Sequence, residues 1–86
     1  MAIEIGVKTK ERPRLEDLEV NDTLHISTEN MEDMLVIFKG SPDEYLMKQK
    51  GGNPILYHKI NINRTINLLE ERYDLIYMVT REENKE

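Results

Sequence analysis

Apolar and polar positions change their spacing along the chain, and each spacing predicts an element. Ala2 to Lys8 alternates, with Ile3, Ile5 and Val7 on one side and Glu4, Gly6 and Lys8 on the other. That is the pattern of a half-buried strand. Thr9 to Arg14 is a charged connector ending around Pro13. Leu15, Leu18 and Val20 lead into Asn21-Asp22, a turn signal. Thr23 to Ser27 then reads as a short strand, with Leu24 and Ile26 on one face and His25 on the other.

The middle of the chain is the most regular part. Met34 to Lys39 is dense in β-formers and is followed by the turn cluster Gly40-Ser41-Pro42-Asp43. Glu44 to Lys50 comes next, then Gly51-Gly52-Asn53-Pro54, and Ile55 to Ile62 closes the set. Runs of this length with short turns read as an antiparallel meander. A rival reading makes Ser41-Pro42-Asp43-Glu44 a helix start, with Ser as cap, Pro at the first position and Gly51 as the stop. Met31, Met34, Leu35 and Phe38 also have helical spacing. The strand reading is favoured by Val36-Ile37-Phe38, whose side chains suit a pleated surface. Closing the first turn with Lys39 on Glu44 and the second with Lys50 on Ile55 puts Met34, Val36, Phe38, Tyr45, Met47, Leu56 and Ile60 on one face as the core, with His58 near Met47. The other face would carry Leu35, Ile37, Leu46, Lys48, Lys50, Ile55, Tyr57 and Lys59, and would need a cover from a helix, barrel closure or a second subunit.

The C-terminal third supports two periods. Ile62, Ile66, Leu69, Tyr73 and Ile76 have helical spacing, with Asn63 as a possible cap, while Ile60 to Leu68 also alternates with asparagines and threonine. A short helix near Thr65 to Arg72 followed by a strand from Asp74 to Thr80 reconciles them. The predicted fold is therefore mainly β: an antiparallel meander of about five strands, curling toward a small barrel, with one short helix. The alternative is α+β with a longer C-terminal helix. Residues 1–80 form one domain and 81–86 a solvated tail without an apolar residue.

Length narrows the possibilities further. A chain of 86 residues buries only about 60% of its unfolded surface, so its stability margin is thin. The chain has no cysteine, which removes disulfides and thiolate metal sites and fits a reducing, cytoplasmic setting. No apolar run approaches the roughly 20 residues of a membrane span, and no signal-peptide pattern opens the chain. Oligomerisation or partner binding is the remaining route to added stability, with a homodimer the favoured form.

The formal charge of −5 is unevenly placed. Residues 15–44 hold nine acids against Lys39 alone, whereas residues 45–64 hold Lys48, Lys50, Lys59 and Arg64 and no acid. Clustered charge of this kind steers encounters with a partner. Two candidate patches follow. Lys48, Lys50, Tyr57, Lys59 and Arg64 combine bases with an aromatic, which can neutralise phosphates and stack a nucleobase. Glu16, Asp17 and Glu19, interleaved with Leu15 and Leu18, could meet a basic protein surface. The plainer account of both is a solvated surface, with lysines that discourage edge-to-edge pairing of a hairpin.

Catalytic chemistry finds little support. Gly40, Gly51 and Gly52 lie in hairpin turns rather than in a phosphate-binding loop. His25 and His58 have no metal-ligand spacing, and adjacent acids such as Glu16-Asp17 point to different sides of any regular element. No nucleophile, base and orienting group can be assembled. The sequence thus predicts no enzyme, no cofactor and no metal. It predicts a small protein-interaction or regulatory accessory module, of the kind encoded by bacteria, phages or mobile elements, that binds a protein partner. The second reading is a nucleic-acid-binding protein that uses the basic hairpin 45–64. The third is an acidic inhibitor that imitates nucleic acid.

Overall fold

Alternation decides most of this fold, because a strand with one apolar side must turn that side toward something. In the computed structural model, which describes residues 4–29 and 33–81, five antiparallel strands form a sheet in the order β4-β3-β2-β1-β5. They are β1 (Asp22–Ser27), β2 (Leu35–Ser41), β3 (Glu44–Gln49), β4 (Ile55–Tyr57) and β5 (Ile76–Arg81), with one helix, α1 (Lys59–Arg72), between the last two. The sheet is not closed into a barrel, and β4 and β5 are its edges. The predicted curl toward closure is therefore corrected. A mainly β domain with one 14-residue helix is what forms.

One face of the sheet is the core. Leu24 and Ile26 of β1, Leu35 and Ile37 of β2, Tyr45 and Met47 of β3, and Tyr77 and Val79 of β5 are all buried on it. Ile62 and Ile66 of α1, with Leu15 and Leu18 from a single 3₁₀ turn at Leu15–Asp17, close over that face. Isoleucine and asparagine are weak helix formers, so packing of Ile62 and Ile66 rather than propensity holds α1 in place. The His58 side chain makes no capping hydrogen bond at the helix start, and Tyr73 N–H closes its end on Leu69 O.

Several expectations need correction, each for a physical reason. The first turn closes Ser41 on Glu44, and a register shift between Lys39 and Ser41 places Lys39 opposite Tyr45 and Phe38 opposite Leu46. One residue of slip sends every side chain of a strand to the other face. Leu35 and Ile37 are accordingly core, and Val36 and Phe38 are not. The second turn is longer than predicted. Gly51 takes φ +79, a region glycine enters without strain, and Gly52 N–H donates to Gln49 O at 2.8 Å. Pro54 lacks a donor and precedes the strand rather than joining it. Met47 therefore pairs with Ile55 and Tyr45 with Tyr57. β4 has only three residues, and α1 starts at Lys59 rather than Thr65, so His58 is an exposed residue before the helix instead of a core group. The Ser41-Pro42 helix start does not form.

The N-terminal alternation does not form a strand. Ile5 makes an isolated bridge to Val79 and Thr9 one to Tyr77, with Gly6 at φ +76 between them. Ala2 and Ile3 of that expected strand, Met31, and the tail at 82–86 lie outside the described residues. Arg81, expected in the tail, is the last residue of β5.

Candidate functional site

Three places combine exposure with chemistry: the uncovered face of the sheet, a groove beside β5, and a line of polar groups centred on His25. The uncovered face is built by the residues that alternate with the core. Register carries Leu56, Leu46, Phe38, Thr23 and Thr80 into one row across all five strands. Lys48, Val36, His25 and Met78 form the next row, and Ser27 pairs with Ile76 in the row beyond. Most of these side chains are half-buried by their neighbours, while Leu56 is 61% exposed and Lys48 is exposed. No described helix or loop joins the core cluster from this side. The result is an apolar band of Leu56, Leu46, Phe38 and Val36, with Lys48 and His25 at its side and Met78 beyond His25. Antiparallel sheets tolerate one wet face, but that face is then usually polar. Here it is not.

The candidate residues from the sequence do not gather at one place. Lys48 is on the uncovered face, and Lys50 lies in the turn after β3. Tyr57 pairs with Tyr45 and packs against the core on the helix side. Lys59 and Arg64 belong to α1, on that same side. The aromatic–basic cluster expected of the hairpin is thus divided between the two faces, because the register of β4 turns Tyr57 toward α1. The acidic residues are close together but engaged. Glu16 meets Lys59 at 3.3 Å, and Glu19 lies 3.6 Å from Arg81. Asp17 stands on the wall of the groove. A backbone hydrogen bond, and after it the Lys59 contact, holds the Glu16 carboxyl below its usual range. Part of the charge asymmetry is therefore satisfied within the chain.

Behind Glu19 lies a tighter arrangement. Asp22 is fully enclosed. Its carboxylate accepts from Arg81 Nε at 2.8 Å and Nη2 at 3.1 Å, and from the Glu19 backbone N–H at 2.9 Å. The fork of Arg81 matches a carboxylate in two places, and this is the main reason the Asp22 carboxyl is lowered from its ordinary value. Lys39 is also buried, donating from Nζ to Leu18 O at 2.6 Å with its ammonium 5.5 Å from the Tyr45 ring centroid. Tyr45 OH donates to Leu15 O at 3.1 Å. These groups pin the 3₁₀ turn to the sheet.

The groove, of about 450 Å³, runs between the N-terminal connector and β5, with Thr9, Arg12, Arg14, Asp17, Tyr77 and Val79 among its lining residues. Arg12 is committed to α1, donating to Asn67 Oδ1 at 2.7 Å and Glu70 Oε1 at 3.3 Å. Tyr77 OH donates to the other oxygen of Glu70. The groove walls balance two arginines with Glu4, Glu11 and Asp17, so they select neither an anion nor a cation.

The third place was not visible in the sequence. His25 Nδ1 lies 2.9 Å from Asp33 Oδ2, and Nε2 lies 3.0 Å from Thr80 Oγ1. Acid, imidazole and hydroxyl in this order resemble the parts of an acyl-transfer triad. Thr80, however, is locked in the ladder opposite Thr23, and the groove lining reaches Val79 but not Thr80. What the line does is tie the segment before β2 to β1 and β5. The alternation of β1 puts His25 on this face; its partners, 8 and 55 residues away, carry no local signal. Among the described residues no cluster of three or more metal-ligating side chains is present, and no helix is long and apolar enough to cross a membrane.

Comparison of the chain with protein-family models, with curated proteins and with solved structures finds no match.

Proposed function

We propose that the protein is a small non-enzymatic protein-interaction module, working in the cytoplasm, whose contact surface is the uncovered face of the sheet. The observation that carries this reading is the apolar band of Leu56, Leu46, Phe38 and Val36 on the face of the sheet opposite the core cluster. A contiguous apolar surface of this kind is uncommon on a monomer and marks an interaction site. Lys48 and His25 at its side supply polar contacts of the sort found at an interface rim. The division of the bases between two faces argues against a nucleic-acid track, which needs them along one continuous surface. Glu16 and Glu19 of the acidic turn face the chain's own Lys59 and Arg81, which argues against the regular charge display of a nucleic-acid mimic.

A photocrosslinking residue at Leu46, on this face, should capture a protein from extract of the source cells, and the adduct should vanish when Phe38→Asp is added. The same probe at Leu68, 59% exposed on α1, is the control. Equal capture at both positions, or capture indifferent to Phe38→Asp, would sink the reading.

A further inference from the structure

The two edges of the sheet are unlike. The outer side of β5 is capped by the N-terminal connector: Gly6 N–H donates to Val79 O, and Thr9 and Tyr77 exchange both backbone bonds. Among the described residues nothing pairs with the outer side of β4. Its residues Ile55 and Leu56 are 54% and 61% exposed, and they point to opposite faces. A free edge is a template for another strand unless charge, proline or a bulge guards it. Pro54 stands just before β4, but Ile55-Leu56-Tyr57 itself carries no charge.

We infer that β4 pairs antiparallel with β4 of a second copy of this chain, about a twofold axis through Leu56, so that two five-stranded sheets become one. The inference rests on the reading of the sheet as the protein's contact surface and names the occupant of its free edge. Extending the observed register across the axis sets Leu56 against Leu56 of the second copy and Ile55 against its Tyr57. On the uncovered face, Phe38, Leu46 and Leu56 then continue into the same three residues in reverse order. Side chains on both faces of β4 lose solvent together, as an isologous contact requires.

Continuity of the uncovered faces, rather than charge, selects this orientation. Glu44, Leu46 and Lys48 alternate along β3 on the uncovered face, and both charged residues are exposed. Lys48 has no ion-pair partner among the described residues. Antiparallel pairing about Leu56 reverses the order of these residues in the second copy. Lys48 then shares a row with Glu44 of the other chain, but Pro54 of its own chain and the exposed His58 of the second stand between them, so the two charges are about three strand spacings apart and do not pair. Parallel pairing about a twofold along the strands would invert the second sheet and put the two uncovered faces on opposite sides. A strand of three residues gives a short interface, so the dimer is concentration-dependent rather than obligate.

The absence of cysteine makes the test direct. Residues directly opposite in an antiparallel pair have Cα atoms about 4.5–5.5 Å apart, within the span of a disulfide. Leu56→Cys should oxidise readily to a covalent dimer, whereas Leu68→Cys should remain monomeric. By sedimentation equilibrium, Leu56→Lys should raise the dimer dissociation constant by about tenfold or more. A wild-type chain that stays monomeric at every concentration overturns the inference. A dimer indifferent to Leu56→Lys but broken by Phe38→Asp also overturns it, since the sheets would then stack face to face; that outcome leaves the uncovered face standing as the contact surface. Loss of both the dimer and the Leu46 crosslink would refute the two readings together.

Discussion

At the scale of single residues, the buried polar groups of this chain act as fasteners, and their chemistry sets how the fold responds to pH. Asp22 stands at the start of β1 with Arg81, from the end of β5, as its partner. Removing the carboxylate with Asp22→Ala deletes three hydrogen bonds and should cost about 2 kcal/mol, as expected for bonds to a charged group when the remaining guanidinium can still reach water. Urea unfolding at neutral pH measures it. The Asp22 carboxyl is lowered in the folded state, chiefly by Arg81. Its contribution is therefore complete above the unfolded carboxyl value of about 3.9 and fades as pH falls toward the depressed one. The stability gap between wild type and Asp22→Asn should narrow below about pH 4; a gap that stays constant through that range would mean that Asp22 is not the titrating group. Tyr77 behaves in the opposite sense. Burial, then its bond to Glu70, raises its hydroxyl above the ordinary value. The stabilisation is complete below about pH 10 and is lost as pH rises beyond it. A spectrophotometric titration should show a late tyrosine phase, and Tyr77→Phe should remove it.

Elements were legible wherever the spacing of apolar residues had one interpretation. β1 is the clearest case: Leu24 and Ile26 face the core and His25 the other side, as alternation requires. β2 and β3 were legible as strands, but their relative register was not. Gly40 and the Ser41–Glu44 closure shift the pairing by one residue, and nothing in the alternation of β2 says which of its two apolar sides faces inward. Leu35-Val36-Ile37-Phe38 is apolar throughout, so both faces satisfy the pattern. That ambiguity hid the candidate site, because Val36 and Phe38 were assigned to the core they do not enter. The helix was obscured for a related reason. Ile60 and Ile62 are two apart, as in a strand, yet only Ile62 is buried while Ile60 is 69% exposed. Ile62→Ala should therefore cost about 3 kcal/mol, the usual scale for a large-to-small change in a packed core. Ile60→Ala should stay within about 0.5 kcal/mol. Comparable losses at both positions in chemical denaturation would mean that α1 is rotated from this packing.

For the whole molecule, the charge pattern takes on a different meaning once the chain is folded. Read linearly, residues 15–44 and 45–64 are an acidic block and a basic block. In the fold, Glu16 lies beside Lys59, Arg12 beside Glu70 and Lys10 beside Asp74, so cross-chain pairs tie the N-terminal segment to α1 and its flank. Exposed pairs of this kind add little to stability, but they decide where the segment lies. The connector caps the β5 edge through only a few backbone bonds and buries no residue between Glu4 and Arg14 completely. It belongs by these measures to the low-stability end of the molecule, where opening does not require unfolding of the sheet. Arg12 is its main anchor, with bonds to both Asn67 and Glu70. Hydrogen exchange on Arg12→Ala should therefore show the Gly6 and Thr9 amides accelerated by about tenfold or more while the amides of β1 keep their wild-type protection. If β1 accelerates equally, the connector is part of the cooperative core. If only the connector responds, the β5 edge is closed by a detachable segment while the β4 edge stays free, and the polarity of the sheet belongs to the folded chain itself.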